Sequence, residues 1–201
     1  MLRSDGTFPV VRTVAAVWDP EPLALAALAA GGASVFLALA DQGPYARAAP
    51  FGAFVVAAAD QDPAALVGVR VWAWRVEEHL PRQGPGDCAV AMVSLMRRRP
   101  RTTPAEFATH WTERHAPLAV RRHVGLADYH QYVVTESLSA EAPEIDGIAR
   151  LGFVTRSDFE TRFFDSDAGR TEIMADVARF MGPRGREATL VGPPGGVGTA
   201  G

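Results

Sequence analysis

Apolar positions along the chain switch between two periods, most clearly in the second half. Residues 88–96 (CAVAMVSLM) form a short apolar run with small side chains, the length of a buried strand. The polar connector RRRPRT follows. Thr103, Pro104 and Glu106 then agree on a helix start: threonine suits the cap, proline the first helical position, and Glu106 completes a capping box. The helix is predicted to run to about His115, because Pro117 breaks an α-helical ladder. Gly125 marks a turn. Residues 127–136 (ADYHQYVVTE) and 147–155 (GIARLGFVT) have strand composition. A second capping box is expected at Ser157-Asp158-Phe159-Glu160. It opens a helical region, interrupted near 165–169, that Gly182-Pro183 stops. Residues 187–191 supply a last strand. The order β-α-β-β-α-β is the split βαβ arrangement of ferredoxin-like domains.

The first half repeats this order more faintly. Strand 10–17 precedes an alanine-rich helix, 21–30, ended by Gly31-Gly32. Strands 34–40 and 51–58 follow, then at most a short helix at 60–66. Strand 68–77 (GVRVWAWRVE) alternates clearly and puts Trp72, Trp74 and Val76 on one face. RQGPGD at 82–87 reads as a joint. The predicted organisation is α+β: two tandem ferredoxin-like βαββαβ units, 1–87 (a degenerate half) and 88–193, forming a pseudodimeric α+β barrel, with a disordered tail at 194–201. A βαββαβ unit packs its helices on one sheet face and leaves the other apolar face to be buried. Two halves in one chain can cover each other, with a ligand pocket between the sheets. The alternative open at this point is that each half buries its sheet against a second subunit, as in a homodimer.

Composition narrows the function classes. The chain is 201 residues long, 48% hydrophobic and 21% charged, which is globular. A net charge of −3 gives no pull toward nucleic acid or acidic membrane surfaces. Every apolar stretch stops well short of the ~20 residues a span needs, and the start of the chain lacks a convincing signal-peptide core, so a cytoplasmic location is expected. The lone Cys88 makes no intrachain disulfide. All 20 basic residues are arginine, a bias that weakens functional readings of single arginines. No zinc spacing, P-loop or strand–GxGxxG–helix pattern occurs, so no metal and no cofactor is expected. The run at 97–101 lacks interleaved aromatics and reads as a solvated turn.

Residues 92–118, MVSLMRRRPRTTPAEFATHWTERHAPL, resemble the EthD family pattern of apolar strand, Arg-rich turn and (S/T)-P-E-E-F-x-x-(Y/H)-W-x-x-x-H-A-P-L. The matching residues are Thr103, Pro104, Glu106, Phe107, Trp111, His115, Ala116, Pro117 and Leu118. Gly125-Leu126 with Tyr129 and Gln131 resembles the family's GL-x-x-Y-x-Q, and Asp146-Gly147-Ile148-Ala149 its DGIAE strand. Arg150 replaces that acid, Gly152 a common aromatic, and Gly182 the acid of a later F-x-D. The resemblance covers 88–193 and implies a dimeric α+β barrel. Relatives of that architecture include dehydratases, cyclases, cofactor-free oxygenases, lactone isomerases and haem-handling proteins, so it implies no single reaction.

His115 lies one turn after Trp111 and two after Phe107, on one helical stripe. It either bonds last-turn carbonyls as an ordinary helix-end histidine or serves as a general acid or base near neutral pH. His110 flanks the stripe as a boundary residue or a second catalytic candidate. His123 reads as part of a solvated turn and His79 as an exposed joint residue. Trp111, Tyr129, Gln131, Arg150 and Gly152 are the substrate-binding candidates. Alternation puts Tyr129, Gln131 and Val133 opposite His130, Tyr132 and Val134, without fixing which face is open. Ile148, Arg150, Gly152 and Val154 are expected to face the cavity, where Arg150 would hold a carboxylate or phenolate and Gly152 would enlarge the pocket or mark a bulge. The resulting expectation is a cofactor-independent EthD-like enzyme of the lyase or isomerase type. It would cyclise, dehydrate or isomerise an aromatic or polyketide-like small molecule through histidine acid–base chemistry. The alternative is a non-catalytic protein that binds a hydrophobic small molecule, or haem.

Overall fold

The computed structural model describes residues 9–43, 51–63, 70–85 and 87–195. Eight strands close into an antiparallel barrel, ordered β1-β3-β2-β8-β5-β7-β6-β4. In the first half these are β1 (Val10–Val17), β2 (Ser34–Ala38), β3 (Ala53–Ala58) and β4 (Val71–Arg82), with helix α1 (Pro22–Ala30) after β1. In the second half β5 (Val90–Arg98) leads into helix α2 (Pro104–Thr109), a π-helical turn (His110–His115) and helix α3 (Ala116–Arg122). Strands β6 (Leu126–Ser137) and β7 (Gly147–Phe153), helices α4 (Arg156–Thr161) and α5 (Asp167–Phe180), and strand β8 (Met181–Pro194) complete the chain. Each half contributes a contiguous block in the same order by position: β4-β1-β3-β2 and β8-β5-β7-β6. Antiparallel seams join the blocks, β4 on β6 (Glu77 opposite Val133) and β2 on β8 (Ala38 opposite Val191). Closure removes the exposed edges that either block alone would present.

Three apolar layers follow from strand alternation. Inside the barrel, Val14, Phe36, Phe54, Trp74 and Val76 of the first half meet Val93, Leu95, Tyr132, Ile148 and Val191 of the second. Each block therefore buries its open face against the other block of the same chain. Outside, α1 covers the first block through Leu25 and Leu28, packed on Val17, Val35 and Val55. The helices of the second half cover its block through Phe107, Trp111, Phe159, Ile173 and Phe180, packed on Met92, Tyr129, Leu151 and Leu190.

Several boundaries differ from expectation for local reasons. The Thr103 capping box forms: the Thr103 hydroxyl accepts from Glu106 N–H, and Glu106 accepts from Thr103 N–H at 2.8 Å. Pro117, however, does not end the helix. The backbone widens to a π turn, in which Ala116 N–H donates to Trp111 O, and α3 continues to Arg122. A wider turn relieves the clash a proline ring makes in a regular α-helix, and such turns recur at functional sites. The second capping residue is Thr155 rather than Ser157: its hydroxyl accepts from Asp158 N–H, so α4 starts two residues early. Strand β8 begins at Met181, directly after α5, so Gly182-Pro183 lies in extended chain. Strand β4 runs on to Arg82 and carries His79 into the seam opposite Gln131. The short helix expected at 60–66 lies outside the described residues beyond 63, as does the tail beyond 195. Among the described residues no helix is long and apolar enough to cross a membrane.

Candidate functional site

The barrel interior, where the sequence predicts a ligand pocket, is occupied by the aromatic and aliphatic side chains of the two blocks. The cavity that contains His115 lies on the opposite side of the second block, between sheet and helices. It measures about 60 Å³ and is lined by Met92, Ser94, Trp111, His115, Tyr129 and Phe180, among others. That volume suits a few water-sized groups. Met92, Met96 and Met181 also line it, and unbranched thioether side chains let such a space reshape around a ligand.

The stripe Phe107, Trp111, His115 brings the imidazole to this cavity, where it is 7% exposed. Its Nδ1 lies 2.9 Å from Oδ2 of Asp176 on α5. The other carboxylate oxygen, Oδ1, lies 3.0 Å from His110 Nε2. One carboxylate thus bridges two histidines, and its pKa is held below the ordinary value by the hydrogen bonds from His115 and His110, against the upward push of burial. When His115 is neutral, a proton on Nδ1 directed at Asp176 leaves Nε2 as the basic nitrogen. Ser94 adds a hydroxyl that is buried in the cavity wall without a hydrogen-bond partner. The Phe180 ring lies 5.1 Å from the His115 ring and 5.0 Å from that of His110, separating the two.

Asp176 and Ser94 were not among the sequence candidates, although both leave a trace. Gly169, Ile173, Asp176 and Phe180 form the buried stripe of α5, so the acid sits where an apolar residue is due. Ser94 likewise stands between Met92 and Met96 on the helix-facing side of β5.

The other candidates divide between the two sides of the sheet. Tyr129 and Gln131 face the helices, where they form a closed set with Trp111. The Tyr129 hydroxyl accepts from Trp111 Nε1 (3.2 Å) and Gln131 Nε2 (3.0 Å), and Gln131 also donates to the Trp111 carbonyl. Burial pushes the Tyr129 hydroxyl up to about 12, so it stays protonated at neutral pH. Arg150 faces the barrel interior, 5.0 Å above the Phe36 ring, and donates to Asp128 at 2.5 Å. It is therefore neutralised by a buried acid on the other side of the sheet from His115. Gly152 does not enlarge a pocket. A Cβ there would lie 2.8 Å from Cys88 Sγ and 3.2 Å from Asp128 Cβ, and the bulge is on β6 opposite, between Leu126 and Asp128. His123 is buried rather than solvated: its Nδ1 lies 2.5 Å from the Phe163 carbonyl, and the ring lines the His115 cavity. Trp72 and Trp74 pack inside the barrel, Trp72 at 4.2 Å from Trp18. Among the described residues no group of three or more His, Cys, Asp or Glu is arranged to hold a metal ion.

Comparison with known proteins follows this geometry. No curated protein sequence matches the chain. An anthrone oxidase-like protein superposes with a TM-score of 0.58 at 9% identity, covering 95% of this chain and 96% of that one. A candidate monooxygenase from Fusobacterium nucleatum subsp. nucleatum gives 0.57 at 8% identity, covering 93% and 94%. A mutant chlorite dismutase from Candidatus Nitrospira defluvii gives 0.54 at 10% identity, covering 93% of each chain. At these identities the likeness establishes the shared α+β barrel and nothing about chemistry. The EthD domain model matches residues 99–184, the stretch from the connector before α2 to the start of β8, which carries both His115 and Asp176. Most of the second half of the chain is thus similar to the EthD domain family.

Proposed function

We propose that the chain is a cofactor-independent enzyme acting on an aromatic or polyketide-like small molecule, with His115 as general acid and base. The observation that carries this reading is the bridge from Asp176 to Nδ1 of His115, which engages one ring nitrogen of a residue that lines a cavity walled by aromatic rings and leaves Nε2 as the nitrogen outside that bond. A base poised in this way removes a proton from an activated carbon or phenol and returns it elsewhere. Cyclisation, dehydration and isomerisation all use that pair of transfers. The names of the structural neighbours, anthrone oxidase-like and monooxygenase, suggest a further fate for a carbanion formed by the same first step: it adds to dioxygen, the external oxidant, to give a hydroperoxide that loses water to leave the carbonyl product. His110 shares Asp176 and supports the dyad from outside the cavity.

A haem-binding reading is not favoured. The space of about 60 Å³ must already widen along Met92, Met96 and Met181 to admit a flat aromatic molecule, and a porphyrin would need far more room between the sheet and the helices. A non-catalytic binder of a smaller hydrophobic molecule differs from the enzyme in one measurable respect. Anthrone has an acidic methylene, and its exchange with D2O can be followed by NMR. The native protein should accelerate that exchange, and His115→Ala, correctly folded, should not. Equal acceleration by both removes His115 from the chemistry, and no acceleration by either favours the binder.

The identical strand order of the two blocks supports reading the chain as two ferredoxin-like units, an intrachain pseudodimer in which residues 1–87 do the work of a second subunit. Residues 88–201 expressed alone should then aggregate or dimerise. A well-behaved monomer would overturn the pseudodimer reading.

A further inference from the structure

Phe180 has a second face. Beyond it lies an outer cleft of about 490 Å³, within the size range of small-molecule sites, lined by Arg101, Glu106, His110, Arg114, Arg179 and Phe180 among others. The three arginines come from three different elements: the connector before α2, the π turn, and the last turn of α5. Arg101 is held in the left-handed region at φ 70°, a conformation that a residue with a side chain seldom adopts. No carboxylate pairs with Arg101 or Arg114 among the described residues, and the nearest to Arg179 is Asp176 at 3.9 Å. Glu106 is the one acid among the lining residues, against three arginines, and Asp176 stands behind them. Glu106 accepts from the Thr103 N–H and hydroxyl at 2.8 and 2.9 Å, and Asp176 is shared by the histidines. Three guanidinium groups against one lining carboxylate leave the cleft with a net positive charge. One wall is flat: the His110 and Phe180 rings stack with 27° between their planes. Phe180 is also a wall of the His115 cavity.

We propose that this cleft recognises the carboxylate of an aromatic acid. The arginines receive the carboxylate, since planar guanidinium groups match its geometry and planar ring systems stack on them. The ring system lies against His110 and Phe180, directed toward the inner cavity. This names the substrate class of the site and rests on the function proposed above. It also gives Arg101, the last residue of the 97–101 run, a role other than that of a solvated turn.

The test uses the full chain and two probes, 2-naphthoate and its neutral analogue 2-naphthamide, titrated by calorimetry. 2-Naphthoate should bind about tenfold or more tightly than 2-naphthamide, as expected for a charge-assisted contact. The double substitution Arg114→Ala with Arg179→Ala, both at exposed positions, should abolish that preference, so that the variant binds 2-naphthoate no more tightly than it binds 2-naphthamide. Equal affinity for the two probes in the native protein overturns the proposal. So does a preference that survives the double substitution. Inorganic phosphate displacing 2-naphthoate at equal concentration would show that the cleft reads charge alone, and would overturn the aromatic-acid assignment. His115→Ala separates the two proposals. It should lose anthrone exchange and keep 2-naphthoate binding, so a failure of acid–base chemistry leaves the cleft assignment standing, and the reverse.

Discussion

Oδ2 of Asp176 lies 2.9 Å from Nδ1 of His115, across the gap between α5 and the π turn. The two residues are 61 positions apart, and their contact decides which nitrogen of the imidazole faces the cavity. The carboxylate does so by orientation and charge together: it accepts a hydrogen bond from the Nδ1–H and stabilises the imidazolium formed when Nε2 takes a proton from a ligand.

Asp176→Asn keeps the shape of the side chain and removes its charge. The protonated Nδ1 then loses its ionic acceptor, and the amide of asparagine can favour the wrong tautomer. Exchange of the anthrone methylene should fall by about 10²-fold or more, within the range assigned to positioned acid–base catalysis. Binding of the neutral probe 2-naphthamide should change little, because the carboxylate makes no contact with it. A variant with undiminished exchange would show that the Asp176–His115 contact is structural only.

Gly147 and Trp111 provide a packing test of the same region. A Cβ on Gly147 would lie 2.4 Å from Cζ3 of Trp111, and the indole cannot retreat while its N–H is bonded to Tyr129 and Gln131 holds its carbonyl. Gly147→Ala should cost about 1–3 kcal/mol, the usual penalty for overpacking. Urea midpoints of the two proteins measure it. Unchanged stability would mean that the α2 region moves freely against β7.

How far the sequence made this fold legible depends on whether the deciding contacts are local. The strand at Val10–Val17 and the Thr103–Glu106 box are set within a few residues, and both appear as predicted. The start of α4 differs from the sequence reading because Thr155 and Ser157 each begin a run that ends in an acid three residues later, and nothing within the run ranks them. Pro117 misled because the rule it breaks applies to i→i+4 ladders, while the chain adopts i→i+5 spacing over His110–His115. The site is less legible still. His115 stands in a recognisable motif, but its partner Asp176 becomes meaningful only once α5 packs beside the π turn. Tyr129 and Gln131 occupy the face opposite His130 and Tyr132, as alternation requires. Which face meets the helices is fixed by the apolar bulk of Phe107 and Trp111, far from β6 in sequence.

Arg150 and Asp128 form a pair buried to 5% and 3% exposure inside the barrel. Asp128→Ala leaves the guanidinium without its acid in an apolar setting, and should cost about 3–5 kcal/mol. Replacing both, Asp128→Ala with Arg150→Met, should cost less than the single change, since no buried charge remains unpaired. Denaturant unfolding of the three proteins tests this. A double variant less stable than Asp128→Ala would mean that Arg150 contributes through its packing on Phe36 rather than through its charge.

The same pair belongs to a longer chain of charges: Arg12 to Glu78 (3.0 Å), Glu78 to His130 (2.7 Å), His130 to Asp128 (3.1 Å), and Asp128 to Arg150. Burial pushes the Glu78 and Asp128 carboxyls upward, but hydrogen bonds and charge from His130 and the flanking arginines outweigh it, and both sit below the ordinary value. Burial pulls His130 down, but its bonds to Asp128 and Glu78 outweigh that, and its pKa is raised above 6.5. The signs follow from linkage. The carboxylates contribute stability that is present above their unfolded pKa values, near 4, and is lost as pH falls through the lower folded values. His130 contributes stability that is fully present below about 6.5 and is lost as pH rises through its raised folded value. Stability of the native protein should therefore decline on the alkaline side of neutrality as well as in acid. His130→Gln removes the titrating group while keeping a polar side chain between the acids, so its stability should be flatter above pH 6.5. Its acid limb should be shallower, because His130 is the largest influence holding the Glu78 and Asp128 carboxyls down, but not lost, because Arg12 and Arg150 still act on them. Urea midpoints measured from pH 4 to pH 9 on both proteins decide the matter, and identical alkaline limbs would mean that His130 carries no charge in the folded barrel near neutral pH.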